Sequence, residues 1–220
     1  PQEVINYLEK VRTHEQQDLT APWRKKGVLL SGGRNSGELQ RFRGYVENYK
    51  ATMEKPCAGA SVETINKTTN SVIQVVNLSN KINEGRGFVG LFGHSSPGVG
   101  PFLCGGPVLT HFELLVGFGG MGFIFFGVGS AVPPDWVLTP DKGAVAFIAS
   151  VDQALERRLN SFMTEFNQVA FRQPETFGLS LGKTLIRTFE RHMNGNRSIY
   201  DTILVNQFQL HGDPAVQIFP

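Results

Sequence analysis

The 220-residue chain is poor in cysteine, with only Cys57 and Cys104, and it carries four methionines and two tryptophans. Two cysteines build no disulfide framework and match no zinc-ligand spacing. His14, His94, His111, His192 and His211 likewise pair neither with one another nor with a cysteine at ligand spacing, so no metal and no other cofactor is expected. Charge is sparse too, at 18% of residues and a net +2. With no basic stripe, nucleic acid is not an expected partner. No signal peptide opens the chain, because Pro1-Gln2-Glu3-Val4 leads straight into an amphipathic pattern. The missing initial Met and the abrupt Phe219-Pro220 end give the expectation of a piece of a longer protein.

Residues 114–134 lack any charge for 21 residues, which is long enough to span a bilayer. Six glycines and the pair Pro133-Pro134 interrupt that run. It reads instead as a buried strand, a glycine-rich turn and a second extended piece. The length suits one α/β domain over residues 1–220.

What the chain has in excess is glycine, at 25, and phenylalanine, at 17, both concentrated between residues 85 and 130. There the stretch Gly87-Phe88-Val89-Gly90-Leu91-Phe92 reads as a strand buried on both faces of a parallel sheet. It breaks into Gly93-His94-Ser95-Ser96-Pro97, turn chemistry that lifts one imidazole off the carboxyl end of the strand. Ligand and catalytic sites of open α/β sheets collect at that end. A histidine there can act as general base or acid near neutral pH.

The rest of the chain alternates. Val4, Ile5, Leu8 and Val11 mark a first helix, and Gly27-Val28-Leu29-Leu30 a strand followed by the loop of residues 31–37. Leu39, Phe42, Tyr45, Val46 and Tyr49 mark a second helix, and Val62-Glu63-Thr64-Ile65 a strand at the rim of the sheet. Val72, Ile73, Val76, Leu78 and Ile82 mark a third helix closed by Gly85. Beyond the His94 strand come strands at 114–116 and 144–149, a short helix or turn at 134–138, and a long helix through Leu155, Leu159, Phe162, Phe166 and Val169. A further helix over 176–193 and a last strand over 215–219 complete the pattern. Such alternation predicts a mostly parallel sheet with helices on both faces.

Two glycine-rich stretches invite a phosphate-binding reading. Residues 31–37 lack the Gly-Lys-Ser/Thr ending and the dinucleotide fingerprint. Residues 178–184 end correctly but follow no strand, and their first glycine is one position too close. A cysteine nucleophile fits the glycine-rich turns better, since it needs a thiolate, a histidine and backbone N–H donors for an oxyanion. Cys104, ten residues after His94, is the candidate thiol; Cys57 falls in a surface loop.

With these residues in view, the chain resembles the gingipain-like cysteine peptidases, in the branch of the type IX secretion sortases and related cell-surface proteins. The motifs that carry the resemblance are Trp23-Arg24-Lys25-Lys26-Gly27-Val28-Leu29-Leu30-Ser31-Gly32-Gly33, Ile82-Asn83-Glu84-Gly85-Arg86-Gly87-Phe88 and Phe92-Gly93-His94-Ser95-Ser96. Further on are Asp135-Trp136-Val137-Leu138-Thr139-Pro140-Asp141-Lys142-Gly143 and Leu210-His211-Gly212-Asp213-Pro214-Ala215-Val216.

The resemblance implies a caspase-like three-layer α/β/α sandwich that hydrolyses or transfers peptide bonds through a Cys-His dyad. It also implies a peptide or protein substrate, a location that is secreted or at the cell surface or outer membrane, and an adjoining immunoglobulin-like domain. His94 matches the family's catalytic histidine, Glu38 is the candidate acid that orients it, and Gly105, Gly119 and Gly120 are candidate oxyanion-hole or nucleophile-loop backbone. The position aligned with the family's nucleophile is Gly119, not a cysteine. Either Cys104 has been brought into the site by an altered loop, or the chain is a non-catalytic binding or scaffold domain of the cell envelope, or the alignment over this segment misleads. Glu38 also has the plain reading of a helix N-terminal charge.

Overall fold

A computed structural model describes residues 2–18, 20–70, 81–82, 84–93, 114–116, 137–138, 144–150, 154–195 and 198–217. The first helix, α1 (Gln2–Gln16), turns Val11 and His14 inward, while Val4, Ile5 and Leu8 face solvent. It is held by polar contacts as much as by packing: the Tyr7 hydroxyl donates to the Val145 carbonyl at 3.0 Å and Lys10 Nζ to the Val137 carbonyl at 2.7 Å. A 3₁₀ turn (Pro22–Lys25) follows. Its buried Arg24 donates to the His14 carbonyl at 2.7 Å and lies over the Trp23 ring.

Strand β1 (Lys26–Ser31) leads into α2 (Ser36–Met53), then β2 (Ser61–Asn66) and β3 (Phe88–Phe92). The order β2-β1-β3 is parallel throughout, with Val28 opposite Glu63 on one side and Val89 on the other. Parallel pairing on both sides of β1 explains why it and β3 are apolar and buried on both faces. β4 (Leu114–Val116) lies beside β3 and pairs in parallel with β5 (Ala146–Ser150). On the far side of β5, β6 (Phe208–Gly212) runs antiparallel, Ile148 opposite Leu210.

One face of the sheet is covered by α2, α3 (Glu156–Asn167), α4 (Leu181–Gly195) and α5 (Ile199–Gln207). Leu29, Val62, Phe88, Phe92 and Ile148 from the strands meet Phe42, Val46 and Tyr49 of α2, Leu159, Phe162 and Phe166 of α3, and Leu185 of α4. Each such fully buried side chain contributes about 1.5–3 kcal/mol relative to exposure. α3 runs on into a π turn (Gln168–Arg172), whose Phe171 meets Phe88 edge-on at 5.2 Å.

Of the expected strand over 215–219 only 215–217 are described, and they form no strand; the strand on β5 is β6. After Gly212 the chain turns at Asp213, and Gln217 makes only an isolated bridge to Ser180. The helix expected from 176 begins at Leu181, because the Thr176 and Phe177 N–H groups are taken by the Gln173 carbonyl in a preceding turn. α5 has no counterpart in the expected elements. Most of the third expected helix lies outside the described residues, as does most of the short helix or turn at 134–138.

Candidate active-site edge

The carboxyl ends of β2, β1 and β3 are joined just beyond their ladders. The Ser31 hydroxyl donates to Asn66 Oδ1 at 2.7 Å, and the Lys67 N–H donates to the Ser31 carbonyl at 2.8 Å. Gly32 N–H then reaches the Phe92 carbonyl at 3.0 Å, so the loop after β1 is tied to the last residue of β3. Lys67 Nζ donates to the Gly33 carbonyl at 2.9 Å, and burial holds its ammonium below the usual lysine range.

The close approach of these loops requires glycine. A Cβ at Gly93 would stand 2.7 Å from the Gly32 carbonyl oxygen, and one at Gly33 would stand 2.7 Å from the Glu38 Cβ. Gly93, Gly32, Gly33 and Glu38 therefore form one continuous packed row along the edge. Beneath it Phe92 is fixed edge-on by Phe42 at 5.0 Å and Tyr45 at 5.3 Å.

Glu38 belongs to the first turn of α2. Asn35 caps the helix, its Oδ1 accepting the Glu38 N–H at 3.0 Å. The Glu38 carboxylate turns back over the cap: Oε2 accepts the Arg34 backbone N–H at 2.8 Å, and Oε1 lies 3.4 Å from the Arg34 guanidinium. It is a buried anion at a helix N-terminus, where the dipole favours negative charge. Two backbone donors that a phosphate would need here, the Arg34 and Glu38 N–H groups, are thus already taken by Glu38 and Asn35, which speaks against the nucleotide reading at this helix end.

Of the site residues expected from the sequence, Glu38 stands at this edge; His94, Cys104, Gly105, Gly119 and Gly120 lie outside the described residues. Gly93 brings the described chain to one residue short of His94. Asn66, Lys67 and Arg34 are edge residues that the sequence reading passed over. Their signal was position alone, at the end of β2 and in the loop after β1. The described histidines have other company: His14 lies with Arg24, His192 with Asp201, and His211 sits on β6 opposite Phe147. Among the described residues no group of three or more His, Cys, Asp or Glu could hold a metal. An open groove of about 530 Å³ lies at the opposite, amino end of the strands, lined by Lys26, Lys50, Glu63, Glu84 and Arg86 among others.

Comparison with known proteins agrees with this architecture. The family model described as Peptidase family C25 matches residues 1–102 and 128–219. It passes over 103–127, the segment that holds Cys104, Gly105, Gly119 and Gly120. Among solved structures, the Arg specific cysteine proteinase gingipain R (RgpB) superposes with a TM-score of 0.73 at 12% identity, over 97% of this chain and 52% of that one. A complex of Porphyromonas gingivalis RgpB pro- and mature domains gives 0.65 at 11% identity, over 96% and 52%. A further structure described as a protease gives 0.59 at 14%, over 98% and 53%. The chain thus spans about half the length of the solved structures it matches. A search of curated proteins finds no match. At these identities the likeness establishes the fold, and the expected caspase-like α/β/α sandwich with a mostly parallel sheet is borne out.

Proposed function

The chain belongs to peptidase family C25, and from that premise we propose that it is a cysteine peptidase domain whose reaction centre stands at the β1–β3 edge, with His94 as its base and Glu38 as the residue that positions it. The observation that carries this reading is the packed row Gly93-Gly32-Gly33-Glu38. His94 follows Gly93 directly in the chain, and the buried Glu38 carboxylate lies behind the two loop glycines.

In the full reaction the nucleophile is Cys104. Its thiol gives its proton to His94, and the thiolate attacks the carbonyl carbon of the scissile peptide bond. The tetrahedral oxyanion is held by backbone N–H groups, for which Gly105, Gly119 and Gly120 are the candidates. As the C–N bond breaks, His94 returns the proton to the leaving amine. Water resolves the thioester in hydrolysis, or a second amine takes the acyl group in transfer. The substrate is a peptide or protein. By likeness to the gingipain family the whole protein is secreted or held at the cell surface, through type IX secretion, with residues 1–220 as one domain beside an immunoglobulin-like one.

One observation favours a second reading, a non-catalytic binding domain of the cell envelope with the same fold. The family match lapses over 103–127, where by the resemblance the nucleophile position falls on Gly119. A thiol-reactive peptidyl probe separates the two. Labelling of Cys104 that disappears in His94→Ala supports the peptidase. No labelling, or labelling that survives the substitution, rejects Cys104 as nucleophile and leaves the binding domain.

A further inference from the structure

We propose that His192 of α4 and Asp201 of α5 form an acid-sensitive latch that holds α5 and β6 on the rest of the domain. α5 is amphipathic the wrong way round for a surface helix: Ile199, Tyr200 and Ile203 are 65%, 55% and 45% exposed, while Asp201 is fully buried. Leu204 is the one large apolar side chain of α5 that is buried. The hold on the helix is therefore largely polar, and it converges on the Asp201 carboxylate.

Asp201 Oδ2 accepts the Ser198 N–H at 3.2 Å and the Ser198 hydroxyl, closing a capping box. Arg158 Nη1 of α3 reaches both carboxylate oxygens, at 3.1 and 3.3 Å. His192 Nε2 lies 3.2 Å from Oδ1, with Phe162 edge-on to the imidazole at 5.6 Å. The charged groups facing His192 among the described residues are Asp201 from α5 and Arg158 and Glu165 from α3, the last engaged by Arg191.

A carboxylate only accepts, so Nε2 of the neutral ring is the donor. A second proton on the ring would set a cation in a dry site; the Asp201 carboxylate favours it, but the cost of burial is larger and the Arg158 guanidinium adds to that cost. Burial accordingly pushes the His192 imidazole down from its ordinary value of 6.5. Burial also works to raise the Asp201 carboxyl, but its contacts with Ser198, Arg158 and His192 outweigh that and hold it below the usual carboxylate range.

Once α5 is released, His192 binds a proton with its ordinary affinity. Below about pH 6.5 release therefore takes up a proton that the closed state refuses, and acid favours opening. β6 follows α5 with no intervening residue and is the edge strand on β5, so the two leave together. The latch does not involve the β1–β3 edge and stands whether or not that edge catalyses.

Hydrogen exchange of residues 199–212 at pH 7.5 and 5.5, corrected for intrinsic rates, is the test, made on the His211→Gln chain because burial also pushes the His211 imidazole of β6 below its ordinary value. Opening is expected to be up to about tenfold more frequent at pH 5.5, the limit for one proton taken up one unit below 6.5. α2 and β1 should not change. His192→Gln, which keeps a donor but does not titrate, should abolish the difference. Equal protection at both pH values, or a difference that survives in His192→Gln, overturns the latch. Should that variant not fold, the His192 ring signals in the unaltered chain decide: protonation only together with loss of native α5 signals supports the latch, and protonation with α5 intact refutes it.

Discussion

Gly93 stands so close to Gly32 that a Cβ on it would lie 2.7 Å from the Gly32 carbonyl oxygen, while the neighbouring Gly32 N–H bonds the Phe92 carbonyl at 3.0 Å. The end of β3 and the loop after β1 are thus one object. Anything that moves one moves the other.

Gly93→Ala is expected to force these two backbones apart, at the cost of about 1–3 kcal/mol that overpacking carries. Urea unfolding would read that cost. If the edge is the reaction centre, peptidase activity should fall further than the loss of folded protein accounts for. Unchanged stability would mean that the loop yields without strain, and the packed row would lose its meaning.

Glu38 can be divided into its two roles by two substitutions. Glu38→Ala strips the acceptor from the Arg34 N–H and should cost about 1–3 kcal/mol. Glu38→Gln keeps an oxygen there and should hold most of that stability. As a positioning residue for His94, however, it should lower kcat and move the acidic limb of the pH–rate profile. If Glu38→Gln leaves kcat and profile unchanged, the carboxylate serves the helix end alone.

How far the sequence revealed this fold depends on where each pattern came from. β1 and β3 were legible because parallel pairing leaves no solvent face to confuse an apolar run. α2 was legible through Phe42, Val46 and Tyr49, which do face the core. α1 is marked by Val4, Ile5, Leu8 and Val11, of which only Val11 faces the core, so the fold uses one residue of the pattern. α5 has no counterpart in the sequence reading, although Ser198 and Asp201 at capping-box spacing ahead of Ile199, Ile203 and Leu204 were the signal available. β6 was missed because Gln209 and His211 dilute an edge strand, while the apolar residues 215–219 offered a stronger but local pattern. At the candidate site, Glu38 and the loop glycines were readable from their place after a buried strand. Lys67 was not, since its contact with Gly33 depends on which strand lies beside β1.

Removing the Asp201 side chain should be the most damaging single change to the polar cluster that holds α5. Asp201→Ala leaves the Arg158 charge and the Ser198 N–H without their carboxylate. Breaking a buried pair costs about 3–5 kcal/mol. The lower end is expected, because the Arg158 side chain is 36% exposed and can turn to water. Ser198→Ala, which removes only the cap, should cost about 1 kcal/mol. If the two variants unfold at the same urea concentration, Asp201 acts as a cap and not as the centre of the cluster.

The acid response should come in two windows, a lower one carried by carboxylates and an upper one by imidazoles. Glu156 at the start of α3 accepts Arg41 Nε at 2.8 Å and Nη2 at 3.0 Å, and the Tyr45 hydroxyl at 3.0 Å, which ties α3 to α2. The Arg41 hydrogen bonds hold its carboxyl below the usual range against burial, which raises it. A carboxyl lowered in the folded state stabilises above its unfolded value and ceases to do so as pH falls through the folded one, so this contribution is lost below about pH 4.3. Its size should be at most about 1 kcal/mol, because half of the Arg41 side chain is in water and screens the pair. The His192 contribution has the same sign but begins to fail near pH 6.5, where the unfolded imidazole starts to bind protons. Urea midpoints measured from pH 7.5 to 3.5 should therefore fall in two steps. Glu156→Gln should reduce only the lower step, which the lowered Asp201 carboxyl shares, and His192→Gln only the upper, which the buried His211 imidazole shares. A profile in which either variant reduces both would mean that α2, α3 and α4 titrate as one unit, and the assignment of Glu156 and His192 to separate windows would fail.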